Sequence, residues 1–464
     1  MTIAVLATSG SLTSLQLTLI IPVLAEFPAA LGISTIDASW IVTITLLCGT
    51  VGTPIITRLA DMYGRRRMLL VTLALLVLGS VIAAVGMSSF AAILIGRALQ
   101  GFSTAIIPIG ISLLREQTSP ARANTAGALM SASLGVGAAL GLPASGLLAE
   151  NFGLASLFWS SAVAGSVFVV LVAIVARESA RAGGRFDIRG AALLTLSLAC
   201  LLLVISEGAV WGWTSPAIIG LSALTVVGFA VWVPLQLASP APVVDLRLNR
   251  SRPVLQTNIA SFFAAAAMFA NHLLTTQQVM APTATGVGLG MDAIAAGLTM
   301  VPASILMVAL SPLAGFLINR WGGGPVLTLG CAVMCGAFVV RFADHSSLLL
   351  IVVGATMVGV GTAIAFSAMP ALIAEAVPVG ELAAANGISS LARSLGNAVS
   401  SAAFALGVGA FPSVVAGIDY ISPAGLSVAL GVAGGSAGLG AVIAFLLPRP
   451  GREAHTSPVP RPTT

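Results

Sequence analysis

Long apolar runs broken by short polar segments set the pattern of this chain. Fourteen runs are candidate membrane spans: 8–24, 40–56, 68–87, 90–114, 126–149, 154–176, 190–206, 216–235, 253–275, 293–318, 325–340, 348–373, 382–410 and 424–447. A helical span needs about 20 mostly apolar residues. The runs are apolar on every side, whereas barrel strands alternate apolar and polar positions. Only a helix satisfies its own backbone hydrogen bonds within one segment in hydrocarbon. The pattern therefore predicts an all-α integral membrane protein. The N-terminus lacks a charged segment followed by a small-residue cleavage site, so the first run is expected to stay as a span. Residues 448–464 are Pro-rich and polar and read as a disordered tail.

Composition agrees. The chain has 464 residues, of which 58% are hydrophobic and 8% charged, and its mean hydropathy is +1.06. Soluble domains carry about 25% charged residues, so this chain could not cover a water-facing surface. All 20 basic residues are Arg. No basic run with interleaved aromatics appears, and nucleic acid is not an expected partner. Their placement is informative. With a cytoplasmic N-terminus, Arg58, Arg65, Arg66, Arg67, Arg115, Arg122, Arg177, Arg181, Arg185, Arg189, Arg247, Arg250, Arg252 and Arg320 fall in cytoplasmic loops. Arg449, Arg452 and Arg461 fall in the tail, and Arg341 alone in an outer loop. That is the positive-inside distribution, predicting both termini in the cytoplasm of a cell-membrane protein. The cysteines, Cys48, Cys200, Cys331 and Cys335, lie inside apolar runs and read as packing residues. Paired carboxylates, a nucleophile elbow, a phosphate loop and a metal-ligand cluster are all missing from the sequence, so neither an enzyme nor a cofactor is expected.

An internal repeat organises the runs. Pro54, Leu59 and Gly64 recur 258 positions later as Pro312, Leu317 and Gly322, with Asn319 in the place of Asp61. At the same displacement Gly101, Thr104, Ala105 and Ile106 meet Gly359, Thr362, Ala363 and Ile364. The expected organisation is a six-helix bundle over 1–180, a two-helix insert over 181–250 and a second six-helix bundle over 251–447, both bundles in one orientation. Parallel repeats of this kind bind solute between the halves near the bilayer midplane.

Three motifs follow. In Leu59-Ala60-Asp61-Met62-Tyr63-Gly64-Arg65-Arg66-Arg67, Gly64 permits a turn that side-chain-bearing residues resist, and Asp61 is an anion suited to a helix N-terminus. Within a run, Arg97-Ala98-Leu99-Gln100-Gly101 carries an arginine that costs about 2.5–3.5 kcal/mol to insert unless it pairs or faces water. In the fifth run Gly137 and Gly141 clear one helix face and Pro143 bends the helix. Together these resemble the signatures of the major facilitator superfamily. The fourteen runs and the strings Phe186-Asp187-Ile188-Arg189-Gly190 and Val244-Asp245-Leu246-Arg247 are similar to its drug:proton antiporter branch. The resemblance covers all but the tail. It implies that Asp61, Gly64 and Arg65, with Asn319 and Gly322 in the second copy, form a latch between the halves. The partner of Asp61 is expected at the start of the thirteenth run, near Leu382–Asn386. It also implies proton work for Arg97 and exporter-type bending at Pro143. The sequence departs in three places: Thr57 stands where the loop pattern opens with Gly, Leu142 separates Gly141 from Pro143 in the exporter-type motif, and Gln16-Leu17-Thr18 stands where the branch carries an Asp two residues before a Thr.

Other candidates rest on residue chemistry. Glu207 and Arg97 are proton-path candidates, although Glu207 near an outer end also reads as a solvated loop residue. His272 can titrate near neutrality or serve as a structural hydrogen bonder. Gln16, Thr18, Gln100 and Arg393 are candidate polar lining of a cavity. The expected function is export of amphipathic, toxic small molecules by alternating access with proton antiport, by a monomer in the lipid bilayer. A metabolite facilitator without strict proton coupling, and a non-transporting sensor, remain alternatives.

Overall fold

The computed structural model describes residues 2–33, 35–178, 183, 185–247, 251–378, 381–415 and 418–447. The expected tail from Pro448 lies outside them. The first half runs α1 (Thr2–Ser9), α2 (Ser11–Thr18), α3 (Phe27–Leu31), α4 (Thr35–Tyr63), α5 (Arg65–Val85), α6 (Phe90–Gly101), α7 (Ile106–Gln117), α8 (Pro120–Phe152) and α9 (Ala155–Val175). Two helices follow, α10 (Ile188–Trp211) and α11 (Pro216–Ala238). Then come α12 (Arg252–Met280), α13 (Ala293–Ala309), α14 (Ser311–Trp321), α15 (Gly323–Phe342), α16 (Leu348–Ala376), α17 (Leu382–Ala410) and α18 (Pro423–Phe445). An antiparallel hairpin of β1 (Pro412–Val415) and β2 (Ile418–Ile421) precedes α18.

Ten described helices are long and apolar enough to cross a membrane, or twelve if each of two bent pairs is one span. Fourteen were expected, and the difference has physical causes. The N-terminal run is cut at Gly10 into two eight-residue helices. α17 has 29 residues, but Asn386, Ser389, Ser390, Arg393, Ser394 and Asn397 dilute its hydropathy. The bends are 42° in α8, around Pro143, and 45° between α13 and α14.

The repeat seen in sequence is a repeat of contacts. Displaced by 258, α4 falls on α13 plus α14, α5 on α15, α6 and α7 on α16, and α8 on α17. A Cβ at Gly101 would lie 2.5 Å from the carbonyl of Thr45, and one at Gly359 would lie 2.9 Å from the carbonyl of Ala303. Thr45 and Ala303 are themselves 258 apart. Lipid offers helices no hydrophobic drive to associate, so such close approaches supply the attraction.

Three of the packed regions relate the two halves and the insert. Leu69, Leu73, Leu76, Ile109 and Leu113 centre one in the first half. Val326, Leu327, Met334, Phe338 and Met369 centre another in the second. The third joins the two-helix insert to both, with Leu194, Leu198 and Trp232 against Val51 of α4 and Ile388 of α17.

Candidate functional site

Where α4 ends, Gly64 adopts φ +108° and turns the chain into α5. That backbone puts Arg65 next to Asp61. Arg65 Nη2 and Nε lie 2.9 and 3.2 Å from Asp61 Oδ1, and Arg65 Nη1 also binds Glu116 of α7. The other carboxylate oxygen, Asp61 Oδ2, accepts the backbone N–H of Ala384 at 3.1 Å. Ala384 is in the first turn of α17, whose N–H groups lack intrahelical partners and carry the positive end of the helix dipole. Asp61 is buried, so both interactions are shielded from water. One turn back, a Cβ at Gly387 would lie 2.5 Å from Thr57 Oγ1. Thr57, the departure from the loop pattern, thus packs on the only residue type that admits it. The second copy has the same outline. Gly322 has φ +83°, and a Cβ at Gly315 would lie 2.9 Å from Thr125 Cα in α8. Asn319 stands at the position of Asp61 and brings no charge.

Arg97 is fully buried and bonded to three elements. Its Nε donates to Ile41 O of α4 at 2.8 Å. Its Nη1 lies 2.9 Å from both Gln16 O and Gln16 Oε1, and 2.7 Å from Gln100 Oε1. Gln100 Nε2 then donates to Ser80 Oγ of α5 at 2.6 Å. Nη2 has no partner among the described residues. Gln16 and Gln100, expected to line a cavity, are instead closed into this network, because Arg97 needs acceptors and supplies donors for their carbonyls. The partner facing Arg97 is a neutral amide at the position where the antiporter pattern has a carboxylate.

The glycines of α8 receive α2. A Cβ at Gly137 would lie 2.0 Å from Ser11 O, and one at Gly141 would lie 2.0 Å from Thr18 Oγ1. Thr18 Oγ1 donates within its own helix to Ser14 O at 2.9 Å and is 3.3 Å from Gly137 O. Thr18 therefore sits in a helix–helix seam, not on a cavity wall.

Arg393 of α17 is half-buried, with Nη1 3.3 Å from Ser389 Oγ and its guanidinium 5.4 Å from the centre of the Phe366 ring. Glu207 corrects the solvated-loop alternative. It is 2% exposed on α10, with Oε1 3.3 Å from Ser206 Oγ and no partner for Oε2 among the described residues. It sits one turn before the end of α10. His272 is half-buried on α12.

Arg341 is a second correction. Expected in an outer loop, it is 2% exposed. Nη1 binds Asn271 Oδ1 at 2.9 Å and Thr275 Oγ1 at 3.0 Å, and Nη2 binds Gln278 Oε1 at 2.9 Å. These three lie at i, i+4 and i+7 on α12, one polar stripe on one helix face. That stripe, legible as sequence, is the signal that a buried cation had to meet it. Arg97 in the first half and Arg341 in the second are thus both buried guanidiniums bonded to neutral oxygens, unlike buried Arg65, which pairs with carboxylates. Among the described residues no group of three or more His, Cys, Asp or Glu is placed to hold a metal ion.

Glycine-packed membrane helices in two repeated sets, a carboxylate bridging them at one end, and two arginines buried in networks of neutral oxygens describe a multi-pass membrane protein built as two halves. The chain belongs to the Major Facilitator Superfamily, whose family model matches residues 6–401 and 257–463. It is 31% identical over 349 residues to the multidrug resistance protein Stp of Mycobacterium tuberculosis, covering 74% of this chain and 63% of that protein. It is 30% identical to the tetracenomycin C resistance and export protein of Streptomyces glaucescens, over 64% of this chain and 54% of that one. The chain thus spans under two thirds of the length of these two relatives. An uncharacterized transporter of this superfamily from Bacillus subtilis, YvkA, is 25% identical over 91% of this chain and 93% of its own. The human organic anion transporter MFSD10 shares the fold, with TM-score 0.66 at 17% identity over 95% of this chain and 98% of that one.

Proposed function

We propose that this transporter exports amphipathic, toxic small molecules by rocking its two halves about a central cavity, driven by proton antiport. The observation that carries the reading is the bond from Asp61 to the N-terminus of α17. It joins residues 323 apart in sequence through a single hydrogen bond at one end of the molecule, where opening that side must break it. Similarity to resistance and export proteins supports the direction and the substrate class. In this reading the spans number fourteen, with α1–α2 and α17 included. The bundles cover 1–180 and 251–447, the insert 181–250, and the working unit is a monomer. Both termini face the cytoplasm of the cell membrane, as the arginine distribution supports now that its outer-loop exception, Arg341, is buried. Asp61, Gly64 and Arg65 latch the halves, with Asn319 and Gly322 as the weaker second copy. Arg97 and Glu207 serve the proton path.

A second reading, a facilitator without strict proton coupling, draws on Gln16, which faces Arg97 with an amide that carries no proton at physiological pH. One experiment separates them. Purified protein in liposomes with an imposed proton gradient is followed for movement of a lipophilic cationic dye and for lumenal pH. Gradient-driven dye movement with proton flux, lost in Arg97→Ala and Asp61→Asn, supports antiport. Dye movement without proton flux supports the facilitator. No movement of this dye or of anionic and neutral compounds overturns both.

A further inference from the structure

We propose that the slot between the two-helix insert and the second half binds an acyl chain of an anionic phospholipid. The slot measures about 450 Å³. Leu198 of α10, Trp232 of α11, Phe262 of α12 and Leu391 of α17 represent its four walls. Asn258 is the sole lining side chain with an amide, and the Trp232 indole N–H is already given to Gly190 O at 2.9 Å. Such walls offer a polar solute almost no hydrogen bonds, and they match a hydrocarbon chain.

Depth points to a lipid. Leu194, Asn258 and Ile388 each lie six residues from the start of their own helix. All three therefore meet the slot about 9 Å in from one end of the bundle, at about 1.5 Å per residue. The same faces of α12 and α17 continue past Phe262 and Phe263 into a second apolar hollow of about 700 Å³ beside α18, reaching Gly407. From Ile388 to Gly407 the path runs about 28 Å at 1.5 Å per residue, close to the hydrocarbon thickness of about 30 Å. The slot is then one leaflet's share of a trough that crosses the membrane.

Charge selects the lipid. Exposed Arg185, Arg189, Arg247 and Arg252 gather at the end where the slot begins. Three acids accompany them, Asp187, Asp245 and the exposed Glu381 before α17, leaving one net positive charge. Asp187 accepts from Gly190 N–H and Gln236 Nε2, each at 2.8 Å, and Asp245 accepts from Arg247 N–H at 3.0 Å. Guanidinium groups suit the phosphate of a headgroup whose chain lies in the slot.

The test uses Trp232 as reporter. The other five tryptophans, Trp40, Trp159, Trp211, Trp213 and Trp321, are replaced by Phe, and the protein is placed in liposomes holding phosphatidylglycerol or phosphatidylcholine brominated at mid-chain. The expected result is quenching with about fivefold preference for the anionic lipid, the attraction of roughly one net arginine charge. Exposed-site variants Arg189→Gln and Arg252→Gln together bring the preference to parity, and Leu391→Phe, which fills the slot, lowers quenching by both lipids. Equal quenching by the two lipids, or a preference that survives loss of the arginines, overturns the proposal. Relief of quenching by a transported dye at its transport concentration would assign the slot to substrate instead. Because the readout is fluorescence, it stands or falls apart from the transport mechanism.

Discussion

Removing the Asp61 carboxylate should shift the balance between the two open faces of the carrier without unfolding it. Asp61 makes two kinds of contact. The pair with Arg65 lies within one half and travels with it as a rigid unit, so it contributes little to the difference between states. The bond to Ala384 N–H crosses to the other half, and in the proposed cycle it is broken when this end opens. A hydrogen bond to a charged group is worth about 1.5–3 kcal/mol. Losing it therefore raises the population open at this end by about 10- to 150-fold. Asp61→Asn keeps an oxygen for the amide and should fall at the lower end of that range, whereas Asp61→Ala should reach the upper end. Exposed Tyr63 and Trp321, at the ends of α4 and α14, suit cysteine substitution and spin labelling in a background where Cys48, Cys200, Cys331 and Cys335 are replaced. Double electron–electron resonance then reports the distance distribution. A distribution identical to wild type in both variants would show that the bond does not bear on the conformational equilibrium.

Three further outcomes are expected. Gly137→Ala should destabilise the protein more than Gly141→Ala, within the range of about 1–3 kcal/mol typical of overpacking, because the first clashes with the fixed Ser11 carbonyl and the second with a rotatable Thr18 hydroxyl; thermal unfolding in detergent with the opposite order would contradict this. Arg341→Leu strips donors from Asn271, Thr275 and Gln278, at a cost of about 1–3 kcal/mol for each buried oxygen left unpaired, whereas exposed Arg320→Gln should leave the melting temperature within error. Gln16→Glu, which keeps the side-chain length, places a carboxylate on Arg97 Nη1, where the amide oxygen now lies 2.9 Å away; dye efflux should then become steeper in lumenal pH, and an unchanged profile would remove this position from the proton path.

Hydropathy and spacing alone determined much of this protein. The apolar runs required membrane helices, because lipid leaves no other partner for the backbone. The 258-residue displacement located equivalent contacts, since Gly101 and Gly359 are glycines for one steric reason. The start of α17 was expected as the place Asp61 reaches because the loop resembles a family pattern that latches one half to the other, and the structure has the bond there. What a one-dimensional pattern cannot carry is the direction a side chain points near a helix end. Arg341 and Glu207 read there as solvated, yet both are buried, and Arg341 turns onto the amide stripe of α12. Nor did sequence reveal that Gln16 and Gln100 spend their polar groups on Arg97, or that the insert seals onto both α4 and α17. Those outcomes depend on which helices become neighbours, and in lipid that choice is made by side-chain packing between distant segments, which only the tertiary structure decides.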